Sequence, residues 1–119
     1  MGHVYVDIRL GHPERPDEMI EIKDALVDIG ATFTTVPRVI ANEIGLVAYG
    51  KSWARSAGGP IELDESYALF EFEDRRTVTP VLINDNYVGV LIGVLTLEAL
   101  ALAVDPKSGK LIRTELLLL

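Results

Sequence analysis

From His3 to Leu10 the chain alternates, with Val4, Val6, Ile8 and Leu10 in one parity and Tyr5, Asp7 and Arg9 in the other. A period of two puts one set against a core and the other in water, so this stretch predicts a half-buried strand. Gly11 to Asp17 carries Pro13 and Pro16 and predicts a turn or short loop. Alternation resumes from Met19 to Val27, where Ile20 and Ile22 oppose Glu21 and Lys23 before the wholly apolar Ala25-Leu26-Val27. Past Gly30, Ala31 to Thr35 predicts a short strand. Pro37 suits the first turn of a helix, where its missing N–H costs little. Val36, Ile40 and Ile44 then recur at helical spacing and stop at Gly45, a natural C-terminal residue.

The second half returns to strands. Leu46 to Trp53 leads into Ser56-Ala57-Gly58-Gly59-Pro60, a glycine-rich hairpin tip, with Ile61 to Leu63 and Tyr67 to Phe72 as the returning limb and the next strand. Glu73-Asp74-Arg75 predicts a tight turn, Thr77 to Ile83 a strand, and Asn84-Asp85-Asn86 a loop. Val88 to Ile92 predicts a buried strand, and Val94 to Leu102 a helix with Val94, Leu97, Leu100 and Ala101 on one face. Asp105 to Gly109 predicts a turn and Leu111 to Leu119 a last strand. Many short strands at close spacing with two short helices predict a mainly β fold, a small closed β-barrel in one domain over residues 1–119.

Composition narrows the chemistry. The 119 residues suit one core, and 49% are hydrophobic, enough to fill it. A formal charge of −7 without clustered Lys or Arg argues against a nucleic-acid partner. With no cysteine, disulfides, thiolate zinc sites and cysteine nucleophiles are excluded. His3 and His12 are not spaced to share a metal, so no metal and no cofactor is expected. The apolar stretch from Val88 to Val104 is interrupted by Gly89, Gly93, Thr96 and Glu98, which argues against a membrane span. No charged segment precedes an apolar one at the start, and a cytoplasmic location is the default expectation.

The segment that carries chemistry is Ala25-Leu26-Val27-Asp28-Ile29-Gly30-Ala31-Thr32. An apolar strand runs into an acid, and a glycine two places on lets the chain bend, which sets a carboxylate in a tight turn at a strand end. Taken alone, the octet equally describes a turn aspartate bonded to its own loop.

Wider context favours the catalytic reading. From about Met19 to nearly the C-terminus the chain resembles the retropepsin-like aspartic peptidases. Their apolar pair before Asp-Thr/Ser-Gly-Ala is matched by Leu26-Val27-Asp28-Ile29-Gly30-Ala31. Their apolar pair and glycine before a C-terminal helix is matched by Leu91-Ile92-Gly93 ahead of Val94 to Leu102. Their flap, a glycine-containing hairpin over the cleft, is matched by Arg55, Ser56, Ala57, Gly58 and Gly59 up to Pro60.

That resemblance implies a homodimeric endopeptidase of the retropepsin-like acid protease fold, one lobe per chain. Two Asp28 carboxylates would meet across a two-fold axis, share a proton and activate a water against an extended peptide or an unfolded protein. It also implies that Gly30, Ala31 and Thr32 lie beside the substrate. Ile29 departs from the family, which has Thr or Ser there with a hydroxyl that bonds across the dimer axis; isoleucine neither donates nor accepts. The departure opens an alternative, a catalytically silent dimeric module of the same fold that binds peptides or scaffolds a partner. The terminal Leu116, Leu117, Leu118 and Leu119 are expected, with Ile29, at the dimer interface, since a bare apolar edge is a liability.

Overall fold

A computed structural model describes residues 3–115. Strand β1 (Val4–Gly11) packs antiparallel on β2 (Ile20–Val27), pairing Val4 with Val27 and Leu10 with Ile20. Strand β3 (Thr34–Pro37) leads into the six-residue helix α1 (Arg38–Glu43). A long hairpin follows, β4 (Gly50–Ser56) with β5 (Gly59–Phe72), and β6 (Arg75–Asn84) returns along β5. The two-residue β7 (Leu91–Ile92) precedes helix α2 (Val94–Ala99), and β8 (Leu102–Asp105) and β9 (Lys110–Arg113) form a separate hairpin.

Hydrogen bonding runs in the order β1-β2-β7-β3-β6-β5, and β5 returns to β1, so six strands close into a barrel while β4 hangs from β5 outside it. Closure removes the free edges that an open sheet would expose. The expected mainly β barrel with two short helices is therefore the fold observed. Alternation fills it: Ile8, Leu10, Val36, Phe70, Val81, Ile83 and Ile92 are buried together inside.

Several boundaries differ from the expectation: the strand expected at Ala31 to Thr35 is Thr34–Pro37, and the one expected to start at Leu46 starts at Gly50. The returning limb and next strand are one strand of 14 residues. Asp64-Glu65-Ser66 interrupts the apolar pattern without interrupting the ladder, because its polar groups find partners; the Ser66 hydroxyl, for instance, donates to the Val47 carbonyl at 2.6 Å. Val36 belongs to β3 rather than to the helix, since Thr34–Pro37 pairs in parallel with Val81–Asn84. Val88 is 92% exposed rather than part of a buried strand, and the ladder between β2 and β3 admits only Leu91 and Ile92. Helix α2 stops at Ala99, and Ala101 turns the chain with a positive φ of 55° so that Leu102 begins β8. The last strand is β9 at Lys110–Arg113; Leu116 to Leu119 lie outside the described residues.

Candidate active site

Strand β2 ends in the apolar run Ala25-Leu26-Val27 and then delivers Asp28 to a turn. The Asp28 amide donates to the Ile92 carbonyl at 2.9 Å, extending the parallel β2–β7 pairing by one residue. Its carbonyl accepts the Ala31 amide at 3.1 Å, which leaves Ile29 and Gly30 at the corner. One carboxylate oxygen, Oδ1, accepts the Gly30 amide at 3.0 Å, so backbone fixes the side chain while it stays half-buried and open to solvent. A methyl group on Gly30 would sit 3.3 Å from that oxygen, which explains why glycine suits the corner. Ile29 projects outward and is 68% exposed in the single chain.

The turn is braced from behind by helix α2. The first amides of a helix have no partner within it. Here Val94 donates to the Ala31 carbonyl at 2.8 Å and Leu95 to the Thr32 carbonyl at 3.0 Å. The Gly93 amide donates to Thr34 Oγ1 at 3.0 Å. The Thr34 hydroxyl meets that of Thr96 at 2.6 Å, and Thr96 meets Thr79 at 2.9 Å, all three buried. This threonine relay ties β3, β6 and α2 together under the acid.

Over the opposite side projects the β4–β5 hairpin. It reverses through Ala57 and Gly58, and Gly59 takes a φ of +113°, a conformation that glycine adopts without strain. The Ser56 hydroxyl donates to the Gly59 carbonyl at 2.6 Å and closes the tip. Between hairpin and turn lies a cleft of about 560 Å³. Gly30, Ala31 and Thr32 form one side, Ser52, Ala54, Arg55 and Ser56 the other, with Phe33, Ile61, Leu63 and Leu82 between them.

Of the residues singled out in the sequence, Gly30, Ala31, Thr32, Arg55 and Ser56 thus meet at one cleft. Asp28 adjoins it through Gly30, while Ala57, Gly58 and Gly59 form the hairpin turn beyond the lining. The sequence reading missed Thr34, Thr79 and Thr96. A signal was present, because Thr79 shares the inward parity of Val81 and Ile83, and Thr96 stands one turn from Leu100 on the buried face of α2.

An ion network holds the base of the hairpin. Arg38 binds Asp85 through Nε at 2.9 Å and Nη2 at 3.2 Å, and reaches Asp64 at 2.8 Å. Lys51 on β4 lies 3.2 Å from the other oxygen of Asp64. Hydrogen bonds from Arg38 hold the carboxyls of Asp64 and Asp85 below the usual aspartate range, and Asp85 and Asp64 together raise the guanidinium further above its own. Asp85, in the loop expected at Asn84-Asp85-Asn86, is thus an ion-pair partner. Among the described residues no cluster of His, Asp or Glu is arranged to hold a metal, and no helix is long and apolar enough to cross a membrane.

No protein-family model and no curated sequence matches the chain. Solved structures do. The EIAV protease, in complex with an inhibitor, superposes with a TM-score of 0.64 at 17% identity, over 82% of this chain and 86% of that one. A retropepsin-like aspartic protease from Rickettsia conorii gives a TM-score of 0.59 at 15% identity, over 87% and 77%. The retroviral protease-like domain of Ddi1 from Leishmania major gives 0.55 at 14%, over 95% and 90%. The chain has a retropepsin-like fold, and at these identities the likeness shows the fold alone.

Proposed function

We propose that two copies of this chain form an aspartic endopeptidase that cleaves extended peptide segments, each copy contributing Asp28. The observation that carries the proposal is the Asp28 turn itself: a carboxylate held by the Gly30 amide, next to a peptide-sized cleft that Gly30 lines on one side and the β4–β5 hairpin on the other. With two such carboxylates facing one water, one takes a proton as the water oxygen bonds to the scissile carbonyl carbon. The proton held by the other goes to the carbonyl oxygen, which relieves the charge developing there. Collapse of the resulting diol breaks the C–N bond: the leaving nitrogen takes a proton from one carboxyl while the other carboxylate takes one from a diol hydroxyl, which restores the shared proton. Closure of the hairpin would exclude bulk water from this sequence.

Ile29 favours a second reading, a dimeric peptide-binding module without turnover, because its exposed apolar side chain supplies no hydroxyl beside the acid. One experiment separates the two. Asp28→Asn keeps the shape of the side chain and abolishes proton exchange, so an endopeptidase loses all cleavage of an unfolded protein substrate while its sedimentation is unchanged. Cleavage that persists in purified Asp28→Asn refutes the catalytic reading, and a parent chain that binds peptide without cleaving it establishes the silent module.

A further inference from the structure

A second recess, of about 460 Å³, adjoins the cleft and shares Phe33 and Leu82 with it. The sheet geometry makes them continuous. Ile61 and Leu63, on the cleft, have the same parity along β5 as Glu65 and Tyr67, on the recess. Two residues of strand cover roughly 7 Å, so the recess opens within reach of a peptide lying in the cleft.

Its contents are unusual for an acidic surface. The Tyr49 and Tyr67 rings stand edge to face with centroids 5.8 Å apart, and the Glu65 carboxylate lines the recess with them. Glu65 accepts a hydrogen bond from the Ser52 hydroxyl, and among the described residues no Lys, Arg or His pairs with it. The neighbouring Asp64 differs, since Arg38 and Lys51 both bind it. Gly50 lies opposite Glu65 on β4, and a methyl group there would come within 2.9 Å of Glu65 Oε1, so the glycine makes room for the carboxylate. A half-buried carboxylate without a counter-ion, beside two tyrosines, is suited to a cation through both charge and ring quadrupole.

We infer that this recess takes the Lys or Arg side chain of a peptide lying in the cleft, a few residues from its centre, with Glu65 as the specificity-determining residue. The inference rests on the peptide-cleft reading above and adds a substrate class to it. The net charge of −7 draws the same cationic peptides at longer range.

The test uses labelled peptides with one reduced, uncleavable Leu–Phe bond, identical except for Lys, norleucine or Glu at the third, fourth or fifth residue from that bond. At one of these positions Lys should bind about fivefold tighter than norleucine at low salt, and Glu more weakly than either. Glu65→Gln retains an acceptor for Ser52, and it should bring the ratio of Lys to norleucine affinity down to about one. Tyr67→Leu should reduce the advantage in part. Absence of a Lys preference at every position, or its survival in Glu65→Gln, overturns the inference while leaving the cleft reading intact. Failure of every peptide to bind overturns both.

Discussion

Gly93 lies against Phe33 so closely that a methyl group on it would stand 2.5 Å from the Phe33 carbonyl carbon and 2.6 Å from its oxygen. The obstacle is backbone, which cannot swing aside as a side-chain end can. Gly93→Ala must therefore push α2 away from the segment that follows the Asp28 turn, loosening the bonds from Val94 and Leu95 to Ala31 and Thr32. The expected cost is about 2–3 kcal/mol in urea unfolding, in the range for overpacking a filled interior. A loss under about 0.5 kcal/mol would mean that the two segments part more easily than their hydrogen bonds imply.

The threonine relay makes a second prediction. Thr96 stands between Thr34 and Thr79, and its removal leaves two buried hydroxyls each short of a partner. Thr96→Val keeps the shape and should cost about 1–3 kcal/mol, while Thr96→Ser, which keeps the hydroxyl, should recover much of that. Equal stability of the Val and Ser variants would show that packing, not hydrogen bonding, decides at this position.

Acid should loosen the base of the hairpin. Arg38 foremost, and then Lys51, hold the Asp64 carboxyl below its ordinary value of 3.8. A group depressed on folding contributes its stability above the unfolded value and loses it as the pH falls through the folded one. The stability difference between the parent and Asp64→Asn should thus be constant at neutral pH and shrink below about pH 4. Asp85 shares Arg38, so the Asp64→Asn/Asp85→Asn pair should show still less acid dependence than either single variant. Parallel melting curves for parent and variants across that range would remove Asp64 from the account.

The sequence announces those parts of the fold whose determinants are local. Period-two alternation marked β1 and β2 to within a residue or two, because each strand buries one face against a single core. The Asp28 turn was legible for the same reason: acid, corner and glycine are contiguous. In the sequence β5 looks like two pieces because the partners that satisfy Asp64 and Ser66 come from Arg38, Lys51 and Val47, distant along the chain. Val88 falls outside the ladder despite its apolar character, which alone says nothing of how many residues a ladder accepts. The hydroxyls of Thr34, Thr79 and Thr96 converge only once α2 is docked on β3 and β6, so no spacing rule announces them.

Ile29 poses the sharpest question about function, and Ile29→Thr addresses it. The side chain is 68% exposed in the single chain, so exchanging one β-branched residue for another should leave monomer melting nearly unchanged, within about 0.5 kcal/mol. In a dimer built around two Asp28 turns the same change places one hydroxyl per copy beside the acids. Each satisfied hydrogen bond contributes about 0.5–1.5 kcal/mol, against the loss of apolar burial from the smaller residue. The hydrogen bonds would cross the axis from both copies and also fix the mutual orientation of the carboxylates, so they should outweigh that loss. Cleavage of an unfolded substrate should therefore rise by about tenfold over the parent, with a tighter dimer by sedimentation equilibrium. Activity confined to the variant would mark the parent as a peptidase fold silenced by one side chain. A variant that neither dimerises more tightly nor cleaves faster would make Ile29 an adapted packing residue of the interface.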